Sequence, residues 1–162
     1  MKVLFVCLGN ICRSPAAQGV FEKYVDEADL KGDFLVDSAG TAAYHVGEMA
    51  DGRMIQHANE RGYDLTSVAR RFASSDLDDF DLILTMDNSN YENVLKLAKT
   101  DIQKDRVKKM TDFCRVHEIE EVPDPYHEGD EGFRLVLDIL EDSCSELLKS
   151  IQSQEPKDAE TK

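Results

Sequence analysis

The sequence predicts an α/β fold, a single domain with a short parallel sheet of about four strands flanked by helices on both faces. Three observations carry that prediction. Residues 3–6 form an almost wholly apolar run, the pattern of a strand covered on both sides. Apolar runs and helix-period segments then alternate along the chain. Finally, a loop containing Gly9 and Asn10 joins the first strand to the first helix, where open α/β sheets bind ligands.

After the first strand, Pro15 stands where the first turn of a helix tolerates it, and Ala17, Val20, Phe21, Tyr24 and Ala28 recur at helical spacing. Phe34, Leu35 and Val36 make a second strand. Residues 37–52 contain Gly40, Gly47 and Gly52 and no clear period, so they read as a long functional loop. A helix over 52–60 ends before Gly62. Residues 80–86 form the best later strand, and a helix follows through Tyr91, Val94, Leu95 and Ala98. Residues 107–110 are a fourth strand interrupted by charges. Phe133, Val136, Leu137, Leu140, Cys144, Leu147, Leu148 and Ile151 form one apolar stripe, a long closing helix. Residues 1–151 are thus expected to be one domain and the polar, aperiodic 152–162 a disordered tail.

At 162 residues the chain is large enough to bury a core without staples. Its 19 basic and 33 acidic side chains give a net charge of −14, a field that repels nucleic acid and anionic membrane surfaces. Neither is expected as a partner. An anionic substrate must then be held locally, by backbone amides and one or two arginines. The N-terminal apolar run stops at Leu8 with no small-residue cleavage site after it, and no stretch approaches the roughly 18 apolar residues of a membrane span. A cytoplasmic protein with four reduced cysteines is the expectation.

The chemistry is expected at Cys7-Leu8-Gly9-Asn10-Ile11-Cys12-Arg13-Ser14-Pro15. Gly9 and Asn10 enter left-handed backbone conformations at low cost, which lets successive N–H groups turn toward one centre. The following helix adds its positive N-terminal end, and Arg13 a planar fork for two phosphoryl oxygens. A cysteine at the rim of such a nest is expected to titrate below the free-thiol value of about 8.5, because the amides and the guanidinium stabilise its thiolate. Cys7 is then a nucleophile at neutral pH. A Cys7–Cys12 metal pair is disfavoured, since Cys114, Cys144 and the four His complete no zinc spacing, and neither metal nor other cofactor is expected.

The Cys-x5-Arg-Ser string resembles the phosphate loop of the low-molecular-weight protein tyrosine phosphatase family. Asp37-Ser38-Ala39-Gly40-Thr41, Met86-Asp87-Asn88-Ser89-Asn90 and Pro123-Asp124-Pro125-Tyr126 match further family segments in the same order. The resemblance implies a phosphotyrosine-containing protein as substrate and inorganic phosphate as product, with a monomer expected. Cys7 would attack phosphorus, Arg13 and the amides of Leu8, Gly9, Asn10, Ile11 and Cys12 would bind the phosphoryl oxygens, and Asp124 would be the general acid. It implies too that Ser14 donates to the sulfur, that Asn10 and Ser38 brace the loop, and that Tyr44 and Tyr126 wall the cleft. Cys12 resembles a redox guard pairing reversibly with Cys7. Asp87 is open between supporting Arg13 and capping its own helix.

The chain departs from the family at Ser67, where members often have His, at His127, which follows the acid-loop tyrosine where another aromatic is common, and at Tyr44 before His45, where Trp is frequent. Two other activities share this fold. Arsenate reductases resolve their adduct with cysteines after a middle strand, and residues 85–97 contain none. Protein-arginine phosphatases carry a small polar residue where this chain has Ile11, and an apolar side chain there favours a flat aryl group.

Overall fold

A computed structural model describes residues 1–154. Four strands, β1 (Lys2–Cys7), β2 (Leu35–Gly40), β3 (Leu82–Thr85) and β4 (Val107–Lys109), pair in parallel in the order β2-β1-β3-β4. Six α-helices lie between and after them: α1 (Arg13–Glu27), α2 (Gly52–Glu60), α3 (Asp76–Asp79), α4 (Asn88–Leu95), α5 (Asp101–Asp105) and α6 (Gly129–Gln154).

The alternation of side chains along β1 explains why its run is apolar throughout. Val3 and Phe5 face a cluster built from α1, α2 and α6, while Leu4 and Val6 face another with Leu77, Phe80, Ile83 and Val94. Each face of the sheet therefore has its own helical cover. Phe5 meets Phe21 of α1 edge-on, with centroids 5.7 Å apart. The expected stripe of α6 is buried from Phe133 to Ile151.

Two outer strands differ from the sequence reading in opposite directions. β2 runs on from Val36 to Gly40, so the long loop begins at Thr41. β4 stops at Lys109, one residue short of the expected end, because Met110 opens a 3-10 turn, and its pairing includes the exposed Lys108. An edge strand needs only one neighbour and tolerates polar residues, so the apolar pattern ends before the pairing does. The short helices α3 and α5 were not expected, because four or five residues carry no period. Local hydrogen bonds hold them: Asp76 accepts from the Ala73 N–H at 2.9 Å, and Thr100 and Gln103 form a capping box. α6 continues to Gln154, so residues 152–154 of the expected tail are helical, and 155–162 lie outside the described residues.

β1 has β2 on one side and β3 on the other, and the chain changes direction across the sheet at this strand. A crevice forms at the carboxyl end of such a strand. That end is Cys7. Among the described residues no helix is long and apolar enough to cross a membrane.

Candidate active site

Residues 8–12 turn the chain from β1 into α1 around the Cys7 sulfur. Asn10 takes a left-handed conformation (φ 57°), as expected, whereas Gly9 does not. Gly9 provides room instead: a Cβ there would stand 3.0 Å from Cδ2 of His45. The Asn10 N–H donates to Cys7 Sγ at 3.3 Å. The N–H groups of Leu8, Gly9, Ile11 and Cys12 have no acceptor among the described residues, so the loop presents open donors around the sulfur.

Asn10 also organises the loop through its side chain. Its Nδ2 donates to Ser14 Oγ at 2.8 Å, and its Oδ1 accepts from the Arg70 N–H at 3.0 Å. Ser14 Oγ thus has its own proton left to give; Cys7 Sγ lies at 3.0 Å and the Ala39 carbonyl at 3.4 Å. Ser38 does not reach the loop. Its hydroxyl donates to Gln18 Oε1 at 2.7 Å, which ties β2 to α1, and the brace expected of it comes from the Arg70 backbone. Because that brace is main chain, it does not depend on the side chain at Ser67.

Arg13 is 3% exposed. Its Nη1 donates to Asp87 Oδ2 at 2.7 Å and to the Val122 carbonyl at 3.0 Å, while Nε and Nη2 make no hydrogen bond among the described residues. Burial works against the charge, but the Cys7 sulfur and the Asp87 carboxylate outweigh it, with Asp124 adding to them, and hold the guanidinium above its ordinary value. Asp87 performs both of the tasks left open by the sequence, since its Oδ1 accepts from the Asn90 N–H as the cap of α4.

Asp124 faces Arg13 from the loop between β4 and α6, with Oδ2 3.8 Å from Nη2 and its side chain half-exposed. Its Oδ1 accepts from the Tyr126 N–H at 3.1 Å, a local turn that orients the carboxyl between the two prolines. Cys12 is buried beside this group. Burial first, then the charges of Asp51, Cys7 and Asp124, push its thiol far up, so it is protonated at neutral pH.

Cys7, Cys12, Arg13 and Asp124 line a cleft of about 200 Å³, with Leu8, Ile11, Tyr126 and His127 among its walls. Tyr44 is 77% exposed and reaches only the rim. The adjacent wall is His45, its ring centroid 6.4 Å from that of Tyr126. His127 stands edge-on to Tyr126 at 4.9 Å.

The sequence reading missed three contributors. His45 was noted only as a neighbour of Tyr44. The Arg53 guanidinium lies 5.2 Å from the Tyr126 ring and 4.8 Å from that of Phe133, anchored by Asp51, so it holds the acid loop against α6. A Cβ on Gly40 would stand 2.7 Å from the Leu8 carbonyl oxygen and 3.1 Å from the Asn10 nitrogen, so the loop rests directly on β2. The glycine after Asp37-Ser38-Ala39 was the available signal for the last.

Comparison with known proteins agrees with this geometry. The model of the low molecular weight phosphotyrosine protein phosphatase family matches residues 2–157. A Synechocystis chain named as a low molecular weight protein-tyrosine-phosphatase is 46% identical over 93% of this chain and 96% of its own. A protein tyrosine phosphatase of Entamoeba histolytica, solved with Hepes in its active site, superimposes with a TM-score of 0.92 at 46% identity, covering 94% of this chain and 97% of that one. A Drosophila arginine phosphatase superimposes with a TM-score of 0.89 at 32% identity, covering 96% of this chain and all of its own. On the match of motif, fold and length, this chain belongs to the low molecular weight phosphotyrosine protein phosphatase family.

Proposed function

We propose that this chain hydrolyses phosphotyrosine in proteins through a cysteinyl-phosphate on Cys7. The observation that carries the reading is the convergence around one sulfur of open loop amides, the Ser14 hydroxyl and the Arg13 charge, whose Nε and Nη2 make no hydrogen bond among the described residues.

Cys7 Sγ attacks phosphorus in line while the amides and Arg13 hold the equatorial oxygens, whose charge they stabilise as the bond to the leaving oxygen opens. A tyrosine phenolate is a poor leaving group, its parent acid having a pKa of about 10. Asp124, above the cleft, gives it a proton. The same carboxylate then takes a proton from the water that attacks the phosphoenzyme, and inorganic phosphate and the Cys7 thiolate are released. Ser14 and the Asn10 N–H receive that thiolate with hydrogen bonds.

Ile11 supports the aryl substrate over a phosphoguanidinium: its side chain lines the cleft and offers no hydrogen bond to a planar cation. A thiolate nucleophile needs a reducing compartment, which supports a cytoplasmic enzyme, and the net charge of −14 supports one that acts without nucleic acid or membrane partners. Residues 1–151 are taken as the catalytic unit, acting as a monomer.

The test is a parallel assay on a phosphotyrosine peptide, a phosphoarginine peptide and arsenate. Turnover of the first, abolished in Cys7→Ser while orthovanadate still binds, is expected. Asp124→Ala should lower the rate about 100-fold or more for phenol-like leaving groups and far less for acidic ones. Equal loss across leaving groups removes Asp124 from the acid role, and preferred turnover of phosphoarginine or arsenate overturns the substrate reading.

A further inference from the structure

A second concavity, of about 440 Å³, shares no lining residue with the catalytic cleft. Thr41, Arg71, Asn93 and Lys96 supply its polar wall, and Phe72 and Leu97 its apolar floor. No carboxylate lines it, in a chain where acidic side chains outnumber basic ones 33 to 19.

The four polar groups are uncommitted. Among the described residues neither Arg71 nor Lys96 has a carboxylate within ion-pair distance, and the Asn93 amide makes no hydrogen bond. The Thr41 hydroxyl oxygen is shielded from solvent and has no partner. Two free cations and an amide with no carboxylate among them mark a place for an acceptor from outside the chain. Two cations fix its sign, and Phe72 with Leu97 give it an apolar surface to lie on.

The geometry points to a second anion-binding site, where Arg71, Lys96 and Asn93 hold the phosphoryl group of a small phosphate monoester whose apolar or aromatic body lies on Phe72 and Leu97. The site touches the base of the catalytic loop through the main chain. The Thr41 N–H donates to the Cys7 carbonyl at 2.9 Å, and the Phe72 N–H to the carbonyl of Gly40, on which the loop rests, at 2.7 Å.

The experiment uses full-length protein whose catalytic cleft is closed by carboxymethylation of Cys7, confirmed by mass spectrometry, and follows backbone amides by NMR during titration with phenyl phosphate and, separately, inorganic phosphate. Saturable shifts at Phe72, Asn93 and Leu97 are expected, with phenyl phosphate binding more tightly than inorganic phosphate. The double variant Arg71→Glu, Lys96→Glu should weaken binding about tenfold or more. No saturable shift in the wild-type protein, or unchanged binding in a double variant whose spectrum shows it folded, overturns the proposal. Without carboxymethylation, the double variant should still turn over phenyl phosphate, so the second site and the catalytic reading fail independently.

Discussion

Asp87 divides its carboxylate between Arg13 and the helix that follows it: Oδ2 accepts from Arg13 Nη1 at 2.7 Å, while Oδ1 accepts from the Asn90 N–H at 2.8 Å. One side chain thus fixes the guanidinium against the end of β3 and caps α4. The two tasks separate by substitution. Asp87→Asn keeps a good cap but removes the charge facing Arg13, whereas Asp87→Ala removes both. Both variants should lose kcat/KM about tenfold or more through misplacement of Arg13, and the alanine variant should be the less stable by about 1 kcal/mol. Full activity in Asp87→Asn would reduce Asp87 to a cap.

Gly40 sets how closely β2 approaches the phosphate loop. A Cβ would meet main-chain atoms of Leu8 and Asn10 at 2.7 and 3.1 Å, and neither can turn aside as a side chain would. Gly40→Ala is therefore expected to move the loop, costing about 1–3 kcal/mol of stability and weakening orthovanadate inhibition about tenfold or more. Unchanged inhibition in a folded variant would show that the loop does not depend on this contact.

Cys12 is held protonated by burial and by the charges of Asp51, Cys7 and Asp124, so peroxide is expected to oxidise Cys7 first. The resulting sulfenic acid condenses with the Cys12 thiol, releasing water and forming a disulfide that thiols reduce. Wild-type enzyme should recover under dithiothreitol, while Cys12→Ser should be lost irreversibly as Cys7 proceeds to sulfinic acid. Equal recovery of the two removes the guard role.

Asp142 on α6 anchors the segment after β4. Burial alone pushes its carboxyl up, but the N–H groups of Arg115 and His117, the His117 ring and the Val116 N–H outweigh it and bring the pKa down to about 2 from an ordinary 3.8. A carboxylate depressed by folding stabilises fully above its unfolded value, and that contribution disappears as pH falls through the folded one. Asp142→Asn should therefore be less stable than wild type by about 2 kcal/mol at pH 7 and by about half that at pH 3, in urea melts. A difference constant with pH would contradict the assignment.

The parts of this molecule legible in its sequence are those where a pattern and its physical cause coincide locally. β1 is apolar throughout because both its faces are covered, and the stripe of α6 is the face it buries. Cys7 and Arg13 stand out by their spacing in one loop and Asp124 by the resemblance of its Asp-Pro-Tyr segment, and the three line one cleft. What was hidden depends on contacts between distant segments. The extension of β2 to Gly40 follows from pairing with β1, not from its own composition. Ser38 faces Gln18 rather than the loop, and the Asn10 brace comes from the backbone of Arg70, sixty residues away, which no side-chain pattern reports. Arg53 reads as a surface arginine until Tyr126 and Phe133 are seen beside it.

The central claim is that the Cys7 sulfur carries the phosphoryl group during turnover. Rapid acid quench of the enzyme during steady hydrolysis of an aryl phosphate, followed by mass spectrometry of its peptides, tests it directly. The account predicts one phosphoryl group on the peptide containing Cys7, absent from Cys7→Ser. Steady turnover with no adduct on that peptide, or with the phosphoryl group on another residue, would contradict it.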